Sequence, residues 1–306
     1  MASRTVRALI LLGFGIAVGF SPARASDDLF AFRRAVRVSP EPSFTDYSYS
    51  FKTQFYTDGW TAYQMLGYQE HLDNLFNGGT DKGKLNSNSQ AANIVLGGTS
   101  EIWLPNRLIL GTVFEYPLIH IPATETWRTD DGAFNQTNSI KYGIVRWRGY
   151  LGYFMADFFE PTVGAQFGWA DQLRENFVIN GTATAGSADE QITTLSWMLG
   201  LRGRGSTQDP WGGGWRTFYQ LMYTSPFSVQ TVNDLIAGRT FSAPGGSVEG
   251  QIGVGYSFSP TMTLMATVNY LSLWYQGTGR TNKTDTVWPP NDTQDLSFRF
   301  TWASLR

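Results

Sequence analysis

The sequence predicts an all-β protein: a single antiparallel transmembrane β-barrel of about ten strands, with long extracellular loops and short periplasmic turns. Three observations predict it. Runs near the C-terminus alternate apolar and polar residues with a period of two, the mark of a strand with two unlike faces. Their polar faces are rich in Gly, Ser, Thr, Asn and Gln, while the apolar faces end in aromatics, the reverse of a water-facing sandwich. Aromatic residues make up 15% and charged residues only 16% of the chain, and 33 glycines are spread through it. Soluble domains carry roughly 25% charge.

The alternation is plainest between Ser247 and Trp302. Ile252, Val254, Tyr256 and Phe258 oppose Gln251, Gly253, Gly255 and Ser257. Met262, Leu264, Ala266, Val268, Tyr270 and Trp274 oppose Thr261, Thr263, Thr267 and Asn269. Leu296, Phe298, Phe300 and Trp302 oppose Asp295, Ser297, Arg299 and Thr301. Only Ser259 and Pro260 separate the first two runs, which predicts a tight hairpin. These residues resemble the C-terminal part of Gram-negative outer-membrane β-barrel proteins as a class. The resemblance implies a place in the bacterial outer membrane, with its lipid and the barrel assembly machinery as partners. Such chains usually end on an aromatic, whereas here Trp302 is followed by Ala303, Ser304, Leu305 and Arg306.

The N-terminus fits that address. Arg4 and Arg7 precede an apolar run from Ala8 to Phe20, and Ala23-Arg24-Ala25 offers the small residues a signal peptidase needs. Residues 1–25 read as a signal peptide cleaved after Ala25; the apolar run is short of the roughly 20 residues of a spanning helix. Its removal takes three arginines and no acid, moving the net charge from −2 to −5. That balance, without any basic run, argues against nucleic acid as a partner. There is no cysteine, which excludes a disulfide scaffold and thiol chemistry. Residues 26–42 read as a periplasmic segment, either a short helix packing under the barrel or a disordered tail. Residues 43–306 form the barrel domain.

Taken in order, the first strand is expected at Phe44 to Tyr56, with Tyr47, Tyr49, Phe51, Thr53 and Phe55 on one face. From Asp58 to Asn88 the alternation breaks. Tyr63, Leu66, Leu72, Leu75 and Phe76 fall nearer helical spacing, and Asn77-Gly78-Gly79 is a stop signal, so a long loop with a short helix is expected. Strands follow at Ala92 to Trp103, Arg107 to Leu118, Ser139 to Tyr153, Pro161 to Trp169, Gln191 to Leu201 and Trp215 to Ser225. The three C-terminal runs make ten, an even number as single-chain bacterial barrels require. Long connections at 58–90, 121–138, 172–189, 226–246 and 276–292 then lie on one side and short ones on the other. A strand over Thr61 to Glu70 would call for twelve.

Turning the more apolar face of each strand outward leaves an inward set. It includes Lys52, Gln54, Asn93, Glu101, Glu115, Arg146, Arg148, Gln166, Arg202, Arg216 and Gln220. Buried charges are costly unless paired or hydrated. Either Glu101 and Glu115 pair with arginines inside a plugged lumen, or the excess of Arg146, Arg148, Arg202 and Arg216 lines a narrow pore for small anionic solutes. A ten-stranded barrel lies near the filled end of the size range. The expected function is a narrow or specific solute channel or a surface scaffold.

Two alternatives stand beside it. One is a barrel enzyme with a rim active site, an omptin-like protease or a lipid hydrolase. It would draw on the only histidines, His71 and His120, the latter near Asp130 and Asp131. The other is a soluble exported β-sandwich. The glycine groups Gly97-Gly98, Gly212-Gly213-Gly214 and Gly245-Gly246 lack a phosphate-loop pattern, and neither a cofactor nor a metal is expected. Trp127, Trp274 and Trp288 lie near loop bases, where an interfacial girdle explains them more simply than ligand binding.

Overall fold

The computed structural model describes residues 53–72, 85–129, 132–156, 159–206, 214–236, 240–259, 262–278 and 288–305. The expected signal peptide, the expected periplasmic segment and Lys52 lie outside them. The described strands are β1 (Gln54–Leu72), β2 (Leu85–Trp103), β3 (Leu108–Ile121), β4 (Ala123–Thr129), β5 (Asn135–Tyr153) and β6 (Glu160–Ile179). They continue with β7 (Thr182–Ser206), β8 (Gly214–Asn233), β9 (Gly245–Ser259), β10 (Met262–Tyr275) and β11 (Asn291–Leu305).

Strands pair antiparallel with their neighbours in sequence, except that β3 and β4 each pair with β2 and β5 and not with each other. β1 then closes on β11, from Tyr56 opposite Leu305 to Glu70 opposite Asn291. Closure leaves no free edge, so every strand satisfies its backbone within the wall. β3 and β4 both lie between β2 and β5. They are one staircase position, interrupted where Pro122 has no N–H to give the ladder, and the barrel has ten positions. The soluble-sandwich alternative is thereby overturned.

The first described strand lies further along the chain than expected. Residues 61–70, expected as loop and helix, are the body of β1, which pairs with both β2 and β11 and closes the wall at ten positions, so the twelve-strand option falls away; residues 44–52 of the expected Phe44–Tyr56 strand lie outside the described residues. The cause is visible in the side chains. Trp60, Ala62, Leu66 and Tyr68 face inward and are buried, while Tyr63 and Met65 face outward, so both faces are apolar and the period-two contrast is lost. The expected loop at 172–189 is also strand. β6 and β7 run on to a two-residue turn at Asn180-Gly181, where φ values of 49° and 82° suit Asn and Gly. Likewise β4 and the start of β5 fill much of 121–138, and β8 extends to Asn233.

The strands therefore outreach a bilayer. β1, β2 and β5 each have 19 residues and β7 has 25, against about 9–11 for a spanning strand. On the side of the short turns, the outward residues form an apolar belt; Ile252, Val254, Phe298, Phe300 and Trp302 are each 50% exposed or more. Their neighbours Ser257, Thr267, Ser297 and Thr301 are buried inside. Beyond the belt the outward residues turn polar: Gln69 on β1, Asn88 and Gln90 on β2, Asp292 and Gln294 on β11. The barrel thus has a lipid-facing tier and a second, water-facing tier towards the long loops.

Candidate functional site: the barrel interior

The inward positions carry the chemistry, and they are stacked in three charged layers. Nearest the short turns, Arg202 Nη1 and Arg204 Nη2 each lie 2.8 Å from Glu101 Oε1, and Arg202 also pairs with Glu160. Tyr150 Oη and Trp103 Nε1 donate to Glu101 at 2.5 and 2.7 Å. Glycine makes room for one of these groups: a Cβ at Gly111 would run into the Tyr150 ring. Asp58 accepts from Tyr56 Oη and the Thr99 N–H, and Arg216 donates to Ser257 Oγ at 2.7 Å. Three acids here face three arginines.

The middle layer is the tightest. Arg146 pairs with Glu115, with Glu249 at 3.0 Å and with Asp295 at 3.9 Å. Arg148 pairs with Glu249 and donates through Nε to Gln166 Oε1 at 2.9 Å. Arg299 reaches Glu115 at 3.1 Å and stacks over the Trp60 ring at 4.3 Å. Gln64 donates to Asp295 at 2.7 Å, and Asn93 donates to Gln64 at 2.9 Å. Again three acids answer three arginines. The ion-paired side chains of this layer are at most 5% exposed. A water column through the barrel at this level would wet them, and they are dry.

Above it lies an apolar zone that includes Leu66, Ile140, Ile144, Ile192 and Tyr275. A cavity of about 20 Å³ separates the two, bounded by Arg146 below and Tyr275 above. It has room for about one water.

The outer layer is built differently. Arg174 holds Glu70 at 2.5 Å and Glu125 at 2.7 Å, with its guanidinium over the rings of Tyr68 and Trp127 at 5.8 and 5.7 Å. Asn138 donates to Glu125 at 2.8 Å. A third buried carboxylate, Glu190, accepts from Asn233 Nδ2 at 3.0 Å and from Trp288 Nε1 at 3.2 Å. Trp288 belongs to the connection between β10 and β11, yet it is 2% exposed and packs on Tyr275. Phe241 and Ala243, from the connection before β9, join the same cluster. Two extracellular connections therefore roof the barrel with side chains turned inward.

The residues singled out from the sequence divide cleanly. Glu101, Glu115, Arg146, Arg148 and Arg202 are buried in the interior, and Arg216 is half-buried and faces it. Among the described residues the arginine excess does not hold, because Glu160, Glu249 and Asp295 join the two glutamates counted from the sequence. Trp127 and Trp288 are interior residues, not girdle, whereas Trp274 lies on the outward face of β10. His120 turns inward at an irregularity of the β2–β3 ladder, with Nδ1 3.1 Å from Asn93 Oδ1; Asp130 and Asp131 lie outside the described residues. His71 sits on the outer rim, 3.0 Å from Asn86 Oδ1 and 3.6 Å from Asp292 Oδ2.

No family model matches the chain, and no curated protein does. Among solved structures it is similar to the outer membrane protease OmpT from Escherichia coli, with a TM-score of 0.60 at 10% identity over 83% of this chain and 97% of that one. The fold is that of a bacterial outer-membrane β-barrel. The translocator domain of the autotransporter NalP from Neisseria meningitidis also matches, at a TM-score of 0.31 and 10% identity over 81% of this chain and 88% of that one. So does the Pseudomonas putida toluene transporter TodX, at 0.26 and 10% over 82% and 89%. For this outer-membrane barrel the likeness to OmpT describes architecture alone; its chemistry has to be argued from its own interior.

Proposed function

We infer that this outer-membrane barrel is a closed surface scaffold whose working part is the tier above the bilayer, and not a conduit through it. The middle layer carries the inference. Arg146, Arg148 and Arg299 are bonded to Glu115, Glu249 and Asp295 across the full width of the lumen, and none of the six is free to attract a passing anion. Opening a path there would strip several buried charges of partners, a cost of about 3–5 kcal/mol for each partner lost.

The anion-channel reading differs in its electrical signature. In planar bilayers the purified barrel is expected to give no discrete conductance steps. Regular anion-selective steps that disappear in Arg146→Ala/Arg148→Ala would overturn the scaffold reading.

A rim hydrolase is the second reading, favoured by the pairing of His71 with Asp292 on the outer face. A His–Asp pair orients and polarises an imidazole, but acyl transfer also needs a nucleophile beside it. A surface hydrolase activity that is lost in His71→Ala and in Asp292→Asn would support this reading over the first.

A further inference from the structure

The three layers differ in their charge balance. In the two lower layers acids and arginines are equal in number. In the outer chamber Glu70, Glu125 and Glu190 face one cation among the described residues, Arg174. Glu190 lies close enough to Tyr68 and Glu70 to act on both electrostatically. Its own recorded partners, the Asn233 amide and the Trp288 indole, are neutral. Buried carboxylates that lack a cation are unfavourable wherever the surroundings are poorly hydrated.

A second observation points to the same place. Gln172 is 0% exposed, and neither its amide nitrogen nor its amide oxygen makes a close hydrogen bond, although the Tyr142 hydroxyl lies near enough for a weak one. It faces inward on β6 directly beside Glu190 of β7, with Tyr142 on its other flank. Thr231 Oγ1, fully buried on β8, is also unpartnered. Buried polar groups are nearly always satisfied, so a fully buried amide with no close partner beside a carboxylate can take a further donor or acceptor.

The chamber also shows what that partner resembles. Arg174 fills one half of it, between two aromatic faces and two carboxylates. The other half has the same furniture without the guanidinium: the Glu190 carboxylate, the rings of Tyr142, Tyr275 and Trp288, and the Gln172 amide. We propose that the Glu190 half of the outer chamber is a binding site for a small organic cation, a guanidinium or primary ammonium on a short aliphatic stem. The cation takes the place of the Trp288 indole N–H at Glu190, stacks on the tyrosine faces and donates to the Gln172 carbonyl. Charge and aromatic faces together favour such a ligand over a metal ion, which cation–π contact would not select. The proposal goes beyond the scaffold reading and stands whether or not the barrel conducts.

The test is calorimetric titration of the full-length, detergent-folded barrel with agmatine, using uncharged N-butylacetamide as the control. Saturable one-site binding of agmatine alone is expected. Glu190→Gln should weaken it on the order of tenfold or more, whereas the exposed-rim change Asp292→Asn should leave it within about twofold. Trp288→Phe keeps a ring but removes the competing N–H, and should bind agmatine more tightly. Heat-modifiable gel mobility confirms that each variant is folded. Three results would each overturn the site: no saturation with either wild type or Trp288→Phe, unchanged affinity in Glu190→Gln, or equal binding of the neutral amide. An equal loss in Asp292→Asn would do the same, by reducing the effect to general surface attraction.

Discussion

The middle layer and the outer chamber are made from the same residue types and are held in the same ten-position wall, but they are balanced differently. In the middle layer every guanidinium has a carboxylate and every carboxylate a guanidinium, so its charges are matched, although Asp295 Oδ1 and Arg299 Nε have no hydrogen-bond partner. Among the described residues of the outer chamber a single guanidinium reaches two of three carboxylates, and the Gln172 amide lies beside the third. A sealed plug asks for complete pairing. A chamber left short of a cation is arranged around something that comes and goes.

Changing single residues should break or sharpen this contrast. The largest effect is expected in the middle layer. Arg146→Ala leaves Glu115, Glu249 and Asp295 short of their shared cation and should lower unfolding stability by about 3–5 kcal/mol, read as a shift of the urea midpoint in folded micelles. Next comes the lipid-facing belt, where Phe298→Arg should cost about 2–4 kcal/mol near the midplane, measured in the same way. That result separates hydrocarbon from water as the solvent of this face, since an exposed aromatic-to-arginine change on a soluble surface is usually within about 0.5 kcal/mol. The smallest effect is expected at the rim. Asp292→Asn removes a loose, half-exposed pair with His71 and should move the midpoint by less than about 0.5 kcal/mol.

The contrast between the tiers also explains what the sequence reveals. In the lipid-facing tier one face meets hydrocarbon and the other the polar interior, so Val254 against Gly253 and Phe298 against Ser297 alternate openly. The strand positions and the inward set Glu101, Glu115, Arg146, Arg148 and Arg202 follow from that alternation. In the upper tier the outward face meets water, and the two faces of a strand become alike. Leu173, Glu175 and Asn176 outside Gln172 and Arg174, or Asp189 outside Glu190, present no period to read, and these stretches pass for loops. The residues hidden that way are the ones that build the outer chamber. The pairing of Arg146 with Glu249 was illegible for another reason: the two are far apart in sequence and meet only when the wall closes, and Glu249 lies two residues before the expected start of its strand.

Glu190 and Glu249 allow the comparison to be tested in one pair of variants, because each can be changed to the isosteric amide without altering volume. Urea midpoints of Glu190→Gln and Glu249→Gln, measured side by side in the same detergent without added cation, should move in opposite directions. Removing the unanswered charge of Glu190 should raise stability, and removing the shared partner of Arg146 and Arg148 should lower it. Shifts of the same sign in both variants would mean that the outer chamber is as fully balanced as the plug below it, and the account would be wrong.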